Sequence, residues 1–283
     1  MEKVRNVYEK LLLEYPKKIA DTQFYYTFGR YINWNKPKDL NEKINWLAFN
    51  TDTTKWSELS DKYNVHDYVK SKGLSEILNP IYKKWDNIDE INFENLPNSF
   101  VLKTNCSSGD IVIVKNKNEE NLDNIKKYFK KVLSKRFGIE TSEPHYLRIK
   151  PCVFAEKLLS NEIVDYKVWC FNGKPYCVFT VSNRDNKTHK RDINVFDLEW
   201  NKHKEWLNTW HHNDVAVKKP TNLQEMLKYA TILSEGFPQV RVDFYEQDDK
   251  IYFGEMTFTS ACGRMLSFSQ ETLITMGDLC IIN

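Results

Sequence analysis

The sequence predicts an α+β protein, and three observations carry the prediction. β-Branched and aromatic runs follow one another across short turns rather than alternating with helices, which favours antiparallel pairing. Helical stripes of period 3.6 stand before and between these runs, suited to covering one face of a sheet. There is no internal repeat, low-complexity tract or long linker.

Composition sets the outer bounds. The 283 residues suffice for one large or two smaller domains, and 41% hydrophobic with 28% charged residues is ordinary globular usage. A formal charge of +2 gives no electrostatic case for a nucleic-acid partner. Lys126-Lys127 and Lys130-Lys131 have acidic neighbours and read as a solvated helix face. The six cysteines, Cys106, Cys152, Cys170, Cys177, Cys262 and Cys280, contain no C-x-x-C pair and no zinc spacing with the six histidines. They read as reduced, mostly buried thiols. Met1 is followed by a charged amphipathic stretch, and no run approaches the ~18 apolar residues of a membrane span. A cytoplasmic protein is expected.

The first fifty or so residues read as helical, with an aromatic surface of Tyr25, Tyr26, Phe28, Tyr31, Trp34 and Trp46, broken at Pro37. Asp39 or Asn41 is placed to cap the helix through Trp46 and Leu47. Ser60 is expected to cap a helix with Val65, Tyr68 and Val69 on one face, stopping at Gly73. Residues 99–104 and 110–115 form an expected hairpin around Asn105-Cys106-Ser107-Ser108-Gly109. A helix from Leu122 to about Phe137 follows, closed by Gly138. Strands are expected over 151–158, 164–171, 175–182 and 192–198. Asn222 and Glu225 suggest a capping box for a helix ending before Gly236. Two last strands, 239–245 and 251–258, precede a mixed C-terminal tail.

The last hairpin is the richest in chemistry. With a five-residue turn, residue 245 pairs with 251, Arg241 faces Glu255 and Asp243 faces Phe253. Arg241, Asp243, Glu255 and Thr257 then project from one side, while Val242, Phe244 and Met256 enter a core. Diagonal carboxylates ~7–8 Å apart at Cβ suit magnesium, which binds oxygen at ~2.0–2.1 Å and keeps phosphate and water ligands. An arginine beside them would neutralise a transferring phosphoryl group. A plain Arg–Glu cross-strand pair fits the same spacing. Lys103 leads into a small-residue loop whose N–H groups, with Gly109 free to take φ > 0, could meet phosphate oxygens, although such loops are also common turns. Asp61-Lys62, and Glu156-Lys157-Leu158-Leu159 followed by Asp165-Tyr166-Lys167, define no site by themselves.

In this order, however, the pieces resemble a known family. Asp61-Lys62, VLK at Lys103 with its loop, AEKLL around Glu156, RVDFY and FGEMTF follow the running order of the ATP-grasp superfamily. The chain resembles the TupA-like branch, linked to teichuronopeptide and capsular or surface polysaccharide assembly. LNEKINWL, SDKYNVHDYVKSKG, LPNSFVLKTN, HYLRIKP and DYKVWCFNGKP extend the likeness over roughly residues 37–275.

The resemblance implies two α+β lobes clasping ATP: a helical extension over 1–58, a phosphate-loop lobe over 59–150 and a metal-binding lobe over 151–283. It implies Lys62 and Lys103 on the nucleotide phosphates with Ser107, Ser108 and Gly109 folded over them. Glu156, Lys157 and Leu158 would lie at the adenine and ribose end, and Lys167 would face the phosphates. Asp243 and Glu255 would hold two magnesium ions, with Thr257 where many relatives have Asn. Arg241 and Lys103 would act in catalysis. The implied reaction is ligation of a carboxylate to an amine through an acyl phosphate, with a glycan-precursor carboxylate as partner. A kinase acting on a hydroxyl shares every nucleotide residue. A non-catalytic nucleotide-binding module would not need Arg241 and both carboxylates, and a glycosyltransferase lacks the expected D-x-D pattern. Arg184 and Arg191, near the end of a strand, could bind an anionic sugar or nucleotide-sugar, or be exposed loop arginines. The aromatic Trp200–Trp210 segment reads mainly as packing, and adjacent His211 and His212 as no metal pair.

Overall fold

Two antiparallel sheets, of four and five strands, frame the chain. The computed structural model describes residue 10 and residues 13–159, 163–184 and 190–282. In chain order the elements are α1 (Pro16–Phe28), α2 (Leu40–Asn50), α3 (Thr54–Ser60), α4 (Val65–Ser71), β1 (Ile81–Trp85), β2 (Phe100–Thr104), β3 (Ile111–Val114), α5 (Leu122–Leu133), β4 (Val153–Glu156), β5 (Asp165–Phe171), β6 (Lys174–Ser182), β7 (Asp192–Phe196), α6 (Leu223–Ser234), β8 (Gln239–Gln247), β9 (Lys250–Thr257) and α7 (Gln270–Leu279). The smaller sheet has the order β1-β4-β2-β3 and the larger β7-β6-β5-β8-β9. The α+β expectation and the two hairpins, β2-β3 and β8-β9, hold.

Each sheet has its own core. Phe100, Leu102, Val114, Val153 and Ala155 of the smaller sheet pack with Ile125 and Phe129 of α5. Phe129 is fully buried, which contributes about 1.5–3 kcal/mol relative to exposure. The larger core joins Val168, Val178, Val242, Phe244 and Met256 to Met226, Ala230 and Leu233 of α6 and to Leu40, Ile44 and Met276 of α2 and α7. Val242, Phe244 and Met256 thus enter the core, as the alternation requires. All six cysteines are free and five are buried. Among the described residues no helix is long and apolar enough to cross a membrane.

Local boundaries differ from the sequence reading where a charged side chain outcompetes a neutral one. Asp39 caps α2 as expected, accepting from Glu42 N at 3.0 Å, and Arg30 ties it to Glu42. Ser60, by contrast, ends α3 and caps nothing. The next residue, Asp61, makes that turn instead, accepting from Tyr63 N at 2.9 Å and Asn64 N at 3.0 Å, because an ionised carboxylate is the stronger acceptor. Asn222 forms no capping box. The Glu246 carboxylate takes the N–H groups of Thr221 and Asn222, and the Asn222 amide donates to Asp249 O. Helix α5 stops at Leu133 rather than Phe137. Gly138 lies in a later turn at φ 95, where an added Cβ would stand 2.5 Å from Glu143 O. Trp200 and Trp206 pack inward as expected, Trp200 stacking on Phe196 at 4.0 Å and Trp206 on Tyr176 at 5.4 Å, whereas Trp210 is exposed.

His145 is wholly buried between Trp56 and Tyr146, and neither ring nitrogen has a hydrogen-bond partner among the described residues. Burial, helped by the Arg148 charge, lowers its pKa to about 3. Between that value and 6.5 the unfolded chain binds a proton that the folded chain refuses, so stability falls as pH drops, by about 1.4 kcal/mol per unit at most. His145→Phe should therefore leave stability at pH 7 within about 1 kcal/mol and flatten the loss between pH 6.5 and 4, read from urea midpoints at each pH. An unchanged slope would place the acid sensitivity elsewhere.

Candidate active-site cleft

Between the two sheets lies a cleft of about 1140 Å³. One wall is the β8-β9 hairpin, and its register is not the expected one. Asp248 and Asp249 make a two-residue turn, both with positive φ, in place of five turn residues. A bulge at Gly254 then shifts the pairing once more. Asp243 therefore faces Glu255, and Arg241 faces Thr257. The two carboxylates are direct rather than diagonal neighbours, ~4.5–5.5 Å apart at Cβ. An added Cβ at Gly254 would lie 3.0 Å from Asp243 O, so glycine allows the strand to close on itself here.

Three cations converge on this pair. Lys167, opposite Asp243 on β5, bonds its carboxylate. Arg241 reaches Asp243 Oδ1 with Nε at 2.6 Å and Oδ2 with Nη2 at 2.8 Å, and Glu255 Oε1 at 3.3 Å. Lys62 stands 3.2 Å from Glu255 Oε2. Burial would raise the Glu255 pKa, but Lys62, Lys167 and Arg241 outweigh it and hold the carboxyl well below the usual range. Burial opposes the charge on Arg241, and Asp243 and Glu255 more than restore it, so the guanidinium stays charged. Thr257 donates to Glu255 Oε1 at 3.0 Å and accepts from Arg241 at 3.1 Å, a position that orients both.

The opposite wall comes from the smaller sheet. Lys103 pairs with Glu156 across β2 and β4, and the 105–109 loop overhangs the cleft with Ser107, Ser108 and Gly109, the last at φ 81. The loop is stapled from below. Lys62 N donates to Asn105 O at 2.9 Å and Lys62 Nζ to Ser107 O at 2.8 Å. The Asn105 amide donates to Asp61 Oδ2 at 2.9 Å and its Oδ1 accepts from Cys152 N at 2.8 Å. Lys157, Leu158 and Leu159 continue the wall, with Asn79 holding Lys157 O at 2.9 Å. Of the residues singled out from the sequence, Lys62, Lys103, Ser107, Ser108, Gly109, Glu156, Lys157, Leu158, Lys167, Arg241, Asp243 and Glu255 all line the one cleft, as do Arg184 and Arg191.

The donor set suits magnesium. Two opposed carboxylates offer hard oxygens, and this ion is commonly held by one or two carboxylates plus substrate phosphates. Among the described residues no three His, Cys, Asp or Glu side chains gather into an all-protein cage.

Two residues escaped the sequence reading. Ser260 accepts from Arg241 Nη1 at 3.1 Å and lines the cleft. Buried Glu143 bonds Thr259 Oγ1, and accepts from Cys262 Sγ at 3.4 Å, fastening both sides of the turn that carries Ser260. The Glu143 pairings span more than a hundred residues and the Ser260 pairing 19, so no local pattern announces them. Asp61, buried beneath the loop, gathers four donors from Tyr63, Asn64 and Asn105. Asp61→Ala should lower stability by about 2–3 kcal/mol by leaving them unpaired, measured by denaturant unfolding. A change below about 0.5 kcal/mol would refute this role.

A profile of the TupA-like ATP-grasp family matches residues 42–281. Similar solved structures include D-alanine–D-alanine ligase from Bacillus anthracis, at 15% identity and TM-score 0.45, covering 86% of this chain and 69% of that one. The same ligase from Helicobacter pylori has 12% identity and TM-score 0.43, with 84% and 62% covered. An L-amino acid ligase from Bacillus licheniformis has 11% identity and TM-score 0.47, with 79% and 47% covered. The chain thus spans less than two thirds of the latter two. No curated protein matches it. The family match covers well over half of the sequence and carries the assignment: the chain belongs to the TupA-like ATP-grasp family and is an ATP-grasp enzyme.

Proposed function

We propose that the protein is a carboxylate–amine ligase that spends ATP to form an amide bond. The observation that carries this reading is the direct opposition of Asp243 and Glu255 in a cleft that also holds Lys62, Lys103, Lys167 and Arg241. The smaller sheet, with its 105–109 loop, covers the nucleotide, and the larger sheet presents the metal-binding hairpin. Lys62, Lys103 and the N–H groups of Ser107, Ser108 and Gly109 bind the phosphates, while Glu156, Lys157 and Leu158 hold the adenosine end. Asp243 and Glu255 would hold magnesium, two ions by the family pattern, which when bound neutralises phosphate charge.

Arg241, fixed by Asp243 and Ser260, faces the phosphoryl group as it leaves ADP. Lys167 completes the positive field. A substrate carboxylate oxygen attacks the γ-phosphorus and ADP departs. An amine then attacks the acyl carbon, phosphate leaves, and the amine loses a proton. No protein nucleophile is needed, because positioning and charge neutralisation lower the barrier. We further propose a uronic-acid or amino-acid carboxylate on a surface-glycan precursor as the acid, and an amino acid or simple amine as its partner.

The test is ADP release from Mg·ATP with paired carboxylates and amines. Release that requires both supports the ligase, while release with a hydroxyl compound and no amine would replace it by a kinase. Asp243→Asn and Glu255→Gln should each cut turnover about a thousandfold. Their circular dichroism should match the parent. Full magnesium-dependent activity in either variant would remove the carboxylates from the metal site.

A further inference from the structure

The far end of the same cleft has a chemistry of its own. We propose that it selects a carboxylate substrate bearing a second, phosphate-like anion, gripped by Arg184 and Arg191 at the opposite edge of the larger sheet from the metal site. The proposal rests on the ligase reading and narrows its substrate class.

The register sets out the ground. Across the larger sheet, Thr257, Arg241 and Trp169 lie in one rank, and Glu255, Asp243, Lys167, Phe179 and Val195 in the next. Antiparallel partners share a face, so the metal hairpin and the residues beyond it form one continuous floor. Past Lys167 and Arg241 the floor turns apolar: Trp169, Phe179, Val181, Ile193, Met265 and Phe268 line it. Phe268 packs on Trp169 at 5.9 Å and on Phe179 at 5.3 Å. The Trp169 side chain is nearly fully buried, and its indole N–H has no hydrogen-bond partner among the described residues. A ring with one apolar face fits such a floor.

The floor ends in positive charge. Ser182 pairs with Asp192, and Asn183 Nδ2 donates to Asp192 Oδ2 at 2.7 Å, so Arg184 and Arg191 emerge side by side at the mouth of β6 and β7. Arg184 leans on Asp165, and Asp192 is already held by Asn183. Arg191 is exposed, lines the cleft and makes no ion pair among the described residues. His211 is close enough to feel its charge. Three strand spacings, ~14 Å, separate β8 from β7, and Arg191 also lies six residues along the ladder from the rank of Arg241, ~20 Å of strand. An extended substrate whose carboxylate meets Arg241 therefore presents its far end to a forked guanidinium, which matches phosphate geometry.

The test measures binding with the nucleotide site filled by saturating Mg·AMP-PNP, so that the Lys62 and Lys103 region cannot take the probe. Glucuronate is compared with glucuronate 1-phosphate and UDP-glucuronate by calorimetry. The two phosphorylated probes distinguish a sugar phosphate from a nucleotide sugar. At least one should bind ten times or more tighter than glucuronate. Arg191→Gln should erase that advantage, and Arg184→Gln should reduce it, with the AMP-PNP affinity unchanged within twofold. Equal binding of all three probes, no binding of any, or an advantage that survives Arg191→Gln would overturn the proposal. Failure of the ligase reading shows separately, as absence of amine-dependent ADP release with every carboxylate.

Discussion

Two carboxylates placed directly opposite one another across an antiparallel pair repel by a few kcal/mol, and the larger sheet must cancel that repulsion. It does so with cations from three places in the chain. Lys167 comes from the neighbouring strand β5, Arg241 from β8 itself, and Lys62 from the segment between α3 and α4. Lys62 is also the residue that holds the 105–109 loop through Ser107 O. One side chain therefore links the two walls of the cleft. Losing it would leave Glu255 without its nearest lysine and the loop without a strut.

The same balance bears on how the cleft would load. Lys62, Lys103 and Lys167, proposed to meet phosphates, are held by Glu255, Glu156 and Asp243. Under the proposed function, an arriving nucleotide draws the lysines away, and magnesium then occupies the carboxylates they leave. Neither exchange is favourable alone, since each strands buried charge. Together they conserve neutrality, so nucleotide and metal should each raise the affinity for the other.

How much of this the sequence disclosed depended on the range of the interactions involved. Alternation of period two put Arg241, Asp243, Glu255 and Thr257 on one face, and that holds because the shorter turn and the bulge each shift the pairing by one residue, so that together they restore the face. The pairing register was not legible. It turned on two aspartates accepting positive φ at 248 and 249, and on a bulge at Gly254, neither visible as an apolar pattern. Asp39 was readable as a cap because its partner is three residues away. Asn222 misled because Glu246, 24 residues on, takes the backbone N–H that Glu225 would accept in a capping box, while the Asn222 amide turns to Asp249 O. Ser60 failed as a cap because the Asp61 carboxylate beside it takes the N–H groups of that turn.

The hardest residue to foresee was Glu143, and it explains why Arg241 is held so firmly. The turn after β9 places Ala261, Cys262 and Gly263 at φ 47, 57 and 64, three left-handed residues in succession, two of them with a Cβ. Each such non-glycine residue costs roughly 1 kcal/mol or more, so the conformation persists only where its surroundings impose it. Here they do. Glu143 bonds Thr259 and Cys262, the Asn45 amide donates to Gly263 O at 3.0 Å, and an added Cβ at Gly263 would stand 2.3 Å from that amide. Ser260, in the middle of the turn, passes this constraint to Arg241 through a 3.1 Å hydrogen bond. The guanidinium is thus fixed on one side by Asp243, which it neutralises, and on the other by a strained turn anchored in α2 and in the segment before His145. Under the proposed function, a charge fixed in advance need not reorganise when phosphoryl charge develops, and the strained turn supplies that preorganisation.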